Sequence, residues 1–471
     1  YFKNKLLEAS TDNSIAKNLD GTYFKIDSNN DGEIQESEAL QVSELNVLSS
    51  SIAYFDGIAY FQNLIKLECT NNGRTGTGMG PDKTMSLDIS GMPNLKTLNC
   101  NTNRLYLGIE SFSNLENLYM FHCRGFSETG LDFTGFNNLK ELSCGRTYIE
   151  TLNIDGLTGL EYLDISFNHI TSYDLTSFVN LKYINSSHST LGAIDASNMI
   201  YLEELYCNWS SLASLNVTGC TGLKRIFCNS TPLTTLDAGN LPQLEELRVE
   251  MSQISTLNVQ GSTNLIILMC GNSNLTSLDL SNLPNLASVT CRENQLQTLS
   301  LTGSPYIFYL DCGSNYLQTL DCSDQSNLVS LTCIYNQLTS LNINNGFVET
   351  DLSFNGNPNL QYICVDEEQV AFLQAAYPSY TFDSTCALNT NNLSTRSGIA
   401  IYPNPSASVV NIASDNEISK ITILTLLGQQ VISKANFGKS PSIDISTLAK
   451  GTYCVVIETP EGKVNKRLMK N

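Results

Sequence analysis

The chain has 471 residues, only 15% of them charged, and a net charge of −20. It holds no Lys/Arg-rich run and no apolar run of the ~18 residues that a membrane span needs. DNA, RNA and anionic lipid all require a positive footprint, so no nucleic-acid partner and no transmembrane segment are expected. The length allows two or three domains. The start at Tyr1, without Met, reads as a processed or trimmed N-terminus.

The first segment, "FKNKLLEA" (2–9), has a helical pattern. It is followed by "DSNNDGEIQESE" (Asp27 to Glu38), which fits the calcium-loop pattern D-x-[DN]-x-[DN]-G-x5-E. Asp27, Asn29, Asp31 and Gln35 would offer loop oxygens, Glu33 its backbone carbonyl, and Glu38 a bidentate carboxylate. Gly32 permits the sharp turn and Ile34 packs inward. Without an ion the same residues form an acidic surface turn. No second loop of this kind occurs in the chain, and sensors use such loops in pairs. The expectation is one structural Ca2+, bracing an N-terminal cap of residues 1–44.

From there a repeat takes over. Units start at Leu64, Leu95 and Leu115, and then at Leu139, Leu160, Leu181, Leu202, Leu223, Leu244, Leu265, Leu286, Ile307 and Leu328, the last ten spaced by 21 residues. The unit reads L-x-x-L-x-C-x-x-N-x-L-x-x-L-D-x, as in "LVSLTCIYNQLTSLNI" (328–343). Positions four and six alternate with polar neighbours, as in a strand with one buried face. A single unit cannot bury its apolar edge, so a fixed period of this length signals a stacked solenoid. The pattern resembles leucine-rich repeats, in particular a short 21-residue bacterial class. The resemblance implies a leucine-rich repeat solenoid over 45–386 with a parallel β-sheet on its concave face.

Nine of the 15 cysteines occupy position six: Cys69, Cys100, Cys144, Cys207, Cys228, Cys270, Cys291, Cys312 and Cys333. The other units place Met120, Ile165, Ser186 and Val249 there, so the slot reads as core and Cys as a small hydrophobe. Adjacent strands bring such Cα atoms into disulfide range, but parallel Cβ vectors suit the S–S torsion poorly. Free thiols are expected, and the absence of CxxC or Cys/His pairing speaks against a metal site. Position nine is Asn72, Asn103, Asn168, Asn294, Asn315 or Asn336, and elsewhere Cys, Thr or Ser; these short polar side chains should bond backbone where the chain leaves the strand. Position fifteen mostly alternates Asp and Asn, which limits repulsion in a stacked row. It reads as local turn bonding, with a row of cation sites as the alternative.

Residues at positions three, five, seven and eight should face outward on the concave side. In the middle units they include Tyr162, Tyr183, Tyr206, Trp209, Arg225, Phe227 and Arg248, residue types that anchor binding patches. The alternative is that large side chains merely cover one another. The three histidines form no site with a nucleophile or with each other, so no catalytic residues and no enzyme are expected. "GRTGTGMG" (73–80) is an inserted loop that lacks the Lys-Ser/Thr of a phosphate loop.

The repeat decays after Asn342. Cys364 and Cys386 flank a short helical pattern outside the ladder, and a capping disulfide between them would place the protein in an oxidising compartment. A polar linker (387–398) leads to residues 399–471, which hold eight Lys/Arg against five Asp/Glu and so differ in charge from the acidic remainder. Short alternating segments separated by turn signals predict a small β-sandwich.

The opening Tyr402-Pro403-Asn404-Pro405, the "LLGQQV" turn (426–431) around Gly428, the "IDISTLAKGTYCVVI" block (443–457) with Gly451 and Tyr453, and the basic end with Lys466 and Arg467 resemble the type A sorting domain of the type IX secretion system of Bacteroidota. Thr425-Leu426 departs from that pattern, where an Asp is common before the "LG" turn. The resemblance implies passage through periplasm and outer membrane, with an outer-membrane β-barrel shuttle and the translocon as partners. It also implies removal of the domain by a sortase-like protease and a final place outside or on the cell surface. The expected function is binding or adhesion through the concave face, toward a protein or peptide. The alternatives are a glycan ligand, or an accessory that stays docked on the secretion or gliding machinery.

Overall fold

The computed structural model describes residues 1–48, 50–72, 87–103, 114–123, 130–386, 400–404, 406–414, 417–425, 430–435, 438, 441–460 and 462–470. The Gly-rich insert 73–80, the linker 387–398, Pro405 and Gly428 lie outside the described residues, as does the side chain of Arg467. The chain divides into two units, residues 1–386 and 387–471.

In the first unit each turn contributes a strand of three residues from positions three to five. Glu204–Tyr206 lies between Tyr183–Asn185 and Arg225–Phe227, with Glu204 opposite Arg225 and Leu205 opposite Ile226. The constant 21-residue step sets this register, because equal positions of successive turns fall side by side. Leu202, Leu205 and Cys207 point inward and are fully buried. The result is a 16-stranded sheet. Its first strand, Ala16–Asn18, pairs antiparallel with Val42–Asn46, and the strands that follow run parallel. A second row of short strands forms at positions thirteen to fifteen, for example Ala193–Asp195 against Ser214–Asn216. The repeat pattern gave no sign of that second row.

The parallel strands reach beyond the recognised repeat units at both ends. Val42–Asn46 already pairs in parallel with Lys66–Glu68, so the boundary at residue 45 falls inside the first parallel strand. Beyond Asn342, Asp351–Ser353 adds another strand to the same sheet. That turn was masked in the sequence because Glu349 stands where the repeat has Leu, and Phe354 where it has Cys. Glu349 is buried, and Asn345 and Gln369 donate to its carboxylate at 2.8 and 2.7 Å. Burial pushes its pKa above the ordinary carboxylate value.

The position-nine side chains hold the turns together. Asn315 Nδ2 donates to the carbonyls of Cys291 and Cys312, both at 3.1 Å, while its Oδ1 accepts from Leu296 N at 2.9 Å. Asn168, Asn294 and Asn336 repeat the arrangement, and Asn357 carries it into the unrecognised turn. Thr147, Ser210, Thr231 and Ser252 reach the carbonyl of their own turn instead. At position fifteen, Asp195 Oδ1 accepts from Ser197 N and from Asn216 Nδ2, both at 3.0 Å. Asp237 and Asp321 accept from Asn258 and Asn342 in the same way. Alternation therefore turns a repulsive row into hydrogen-bonded pairs.

Ten free cysteines among the described residues are buried. Burial raises the pKa of Cys270 to about 12 and that of Cys220 to about 11, so these two remain thiols at neutral pH. The free-thiol expectation fails at one rung: Cys207 and Cys228 form a disulfide, with their Cα atoms 4.8 Å apart. Cys364 and Cys386 form a second disulfide, across the helix Glu367–Ala376, with Cα atoms 5.0 Å apart. With four cysteines paired among the described residues, the denatured, unreduced chain of fifteen cysteines should show eleven thiols on titration. A count of thirteen would mean that the Cys207–Cys228 bond does not form.

The second unit contains two antiparallel sheets. One joins Ala400–Tyr402, Val409–Ala413 and Ser442–Asp444. The other joins Lys420–Thr425, Gln430–Ala435, Gly451–Thr459 and Gly462–Lys470. Val410, Ile412, Ile421, Ile423, Ile443, Ile457 and Leu468 share one apolar core.

Candidate ligand face and metal loop

The middle strands carry a continuous strip of large side chains. Tyr162 and Tyr183, both at position three, stack with ring centroids 4.3 Å apart and planes within 6°. Tyr206 follows at 5.4 Å from Tyr183, and Phe227 packs edge-on to it at 5.1 Å. The Arg248 guanidinium lies 4.9 Å from the Phe227 ring centre. Six of the seven predicted ligand residues, Tyr162, Tyr183, Tyr206, Arg225, Phe227 and Arg248, thus fall in one strip.

Two acids that sequence reasoning missed organise the strip. Glu204 accepts from the Tyr206 hydroxyl at 2.7 Å and pairs with Arg225 at 2.6 Å. Glu246 pairs with Arg248 at 2.5 Å and lies 3.8 Å from Arg225. Their signal was present in the repeat: both hold position three, beside Arg225 at position three of the turn between them. Burial raises the Tyr206 pKa, and the bond to Glu204 adds to it. The tyrosines of the strip are half-buried against one another, so the covering role describes them in part.

Position eight behaves differently from the sequence reading. It does not lie on the strand but just past it, in the left-handed region: φ is 55° at Phe167, 54° at His188 and 55° at Trp209. These residues form their own column. Phe167 and His188 stack at 4.1 Å, and His188 and Trp209 lie parallel within 9° at 6.2 Å. Trp209 is 57% exposed and Met251, further along the column, 50%.

In the loop Asp27–Glu38, Asn30 (φ 62°) and Gly32 (φ 78°) adopt left-handed conformations that tighten the turn. Asp31 Oδ1 accepts from Glu33 N at 2.8 Å, and Gln35 Nε2 donates to its other oxygen at 2.7 Å; these bonds hold its pKa below the usual value. Asp27 and Glu38 are buried, and neither has an ion-pair partner among the described residues. Burial opposes the charge of Glu38, but hydrogen bonds from Gln35 and Ser28 still keep its pKa low. Among the described residues no three His, Cys, Asp or Glu side chains gather as a metal cluster. The donor set of two buried carboxylates, further carboxylate and amide oxygens and one carbonyl nevertheless fits a hard cation such as Ca2+.

In the second unit, Asn404 Oδ1 accepts from Met469 N at 2.8 Å, and Ser406 N donates to Met469 O at 2.9 Å, so the opening segment rests on the last strand. Tyr453 is buried and its hydroxyl donates to Ala449 O at 2.9 Å. Gly451 starts the long strand Gly451–Thr459. Tyr402 and Lys466 are exposed, with Pro403 beside Tyr402 in a cis peptide bond.

Residues 400–471 match the family of secretion system C-terminal sorting domains. The C-terminal unit is a type IX sorting domain, and it marks the chain for export to the cell surface or beyond. No curated protein matches the chain. Among solved structures, the functional domain of InlJ from Listeria monocytogenes, described as including a cysteine ladder, aligns over 99% of this chain and 97% of its own, at 16% identity and a TM-score of 0.45. YopM from Yersinia pestis aligns over 69% and 77% at 19% identity and a TM-score of 0.45. A TDR receptor aligns over 70% and 69% at 17% identity and a TM-score of 0.50, a likeness of fold. The N-terminal unit is a leucine-rich repeat solenoid. No helix among the described residues is long and apolar enough to cross a membrane.

Proposed function

We propose that this chain is a non-enzymatic surface binding protein that captures a protein or peptide along the strip from Tyr162 to Arg248. The observation that carries this reading is the exposed aromatic column ending at Trp209, beside an Arg/Glu network that is already paired. Apolar rings at such exposure favour a partner, and Trp, Tyr and Arg are the residue types that anchor one. The sorting domain would be recognised by the outer-membrane shuttle and translocon, then removed at the surface.

Surface fractions passed over the tagged full chain and over a Tyr206→Ala/Trp209→Ala variant test the reading. Loss of two anchors should weaken capture of the retained partner by about 30-fold or more. Equal capture by both proteins would sink it. The aromatic strip that starts at the stacked Tyr162–Tyr183 pair favours a second reading, a glycan held against the rings, which a glycan array would reveal. Retention of an uncut chain on the secretion or gliding machinery would instead support the docked-accessory reading.

The loop Asp27–Glu38 would hold one Ca2+ through Asp27, Asn29, Asp31, Gln35 and Glu38 and the Glu33 carbonyl. Its role is to neutralise buried carboxylates and brace the cap. At 10 mM calcium a site of extracellular affinity contributes about 1–3 kcal/mol. Thermal melting should therefore shift upward with calcium and fall with chelator, while Glu38→Gln melts alike in both. A wild-type curve indifferent to calcium would remove the ion.

A further inference from the structure

The position-eight column is a stack with one rung missing. Phe167, His188 and Trp209 supply rings on three successive turns, with planes parallel within 11° and 9° at the two steps. The next turn has Ser230 and the one after it Met251, both in the same left-handed conformation as the rings before them (φ 55° and 52°). Successive turns at this point are one strand spacing apart, 4.8 Å between the Cα atoms of Cys207 and Cys228. Trp209 and Met251 are thus about 9.6 Å apart at the backbone, two spacings of ~4.8 Å. A flat ring needs about 3.5–4 Å from each neighbour. One ring placed over Ser230 would touch Trp209 on one face and Met251 on the other.

Met251 now leans into that space, its Sδ 3.9 Å from Ser230 Oγ. An unbranched thioether gives up such a contact cheaply and makes favourable contacts with aromatic rings. We infer that Ser230 is the floor of a ring-sized subsite that receives one aromatic side chain of a peptide, sandwiched between Trp209 and Met251. The flatness of the slot and the thioether on its far wall favour an aromatic ring over a puckered sugar, whose usual platform is a second flat ring. The proposal rests on the concave-face reading above and names the group that the face selects.

The test uses the full chain labelled with 13C at the methionine methyls, titrated with N-acetyl-L-tryptophanamide. The Met251 methyl, assigned through Met251→Leu, should move upfield and saturate, because it would come to lie over the probe's ring. The methyls of the buried Met120 and Met199 should stay in place. Ser230→Phe fills the rung with the protein's own ring. It should melt no lower than wild type and weaken the probe at least tenfold. No upfield shift, or the same titration in Ser230→Phe, would overturn the proposal. A Met251 shift with chitotriose but not with the indole probe would overturn it in favour of a sugar subsite. If partner capture falls in Tyr206→Ala/Trp209→Ala while Met251 never responds, the slot fails and the face stands. If Met251 responds while capture is unaffected, the concave-face reading fails instead.

Discussion

Asn315→Ala should destabilise the turns around it by about 3–5 kcal/mol, the cost of leaving three buried backbone groups without partners. The groups are the carbonyls of Cys291 and Cys312 and the Leu296 N–H, all served by one amide that is itself buried. Asn315→Thr should recover about 1 kcal/mol, one hydrogen bond's worth. Thr147 shows which bond that is, donating to the carbonyl of its own turn at 2.7 Å. A solenoid opens in neighbouring groups of turns rather than all at once. Hydrogen exchange at the Leu296 amide, read beside the denaturant midpoint, is therefore the fitting measurement. A loss under about 1 kcal/mol with Leu296 still protected would show that the Asn column is not what joins the turns.

Replacing both Cys364 and Cys386 with Ser should cost about 3 kcal/mol, from loop-closure entropy over a separation of 22 residues. The effect should be local. Between these cysteines lie the helix Glu367–Ala376 and the strand Thr381–Asp383, which seal the last turns. Phe354 packs there against Tyr377, Tyr380 and Phe382 with centroids at 4.9, 5.2 and 6.3 Å. Limited proteolysis should cut the variant near the helix while the turns before Asn342 stay resistant. Resistance equal to wild type would mean that the aromatic cluster closes the end without the bridge.

Much of the architecture was open to reading because a repeat multiplies weak signals. One Leu-x-x-Leu says little, but ten such aliphatic pairs at a 21-residue step fix register, because only stacking buries them all. The Asn and Cys columns were legible for the same reason. Reading failed where a single turn broke the pattern. Glu349 and Phe354 hid one turn because their burial depends on Asn345, Gln369 and the aromatic cap, none of which the period predicts. The candidate face was legible as residue types but not as chemistry. Its arginines look free in the sequence, yet Glu204 and Glu246 already hold them.

The sequence by itself determined the solenoid, the inward columns and the exported tail. Each follows from local residue types repeated at a fixed spacing, or from a contiguous motif. Tertiary structure decided which equal positions interact and how. It joined Cys207 to Cys228 while leaving chemically identical rungs as thiols. It moved position eight off the strand into a column of its own, left open at Ser230. Such outcomes depend on distances across turns and on backbone angles after the strand, and a one-dimensional period carries neither.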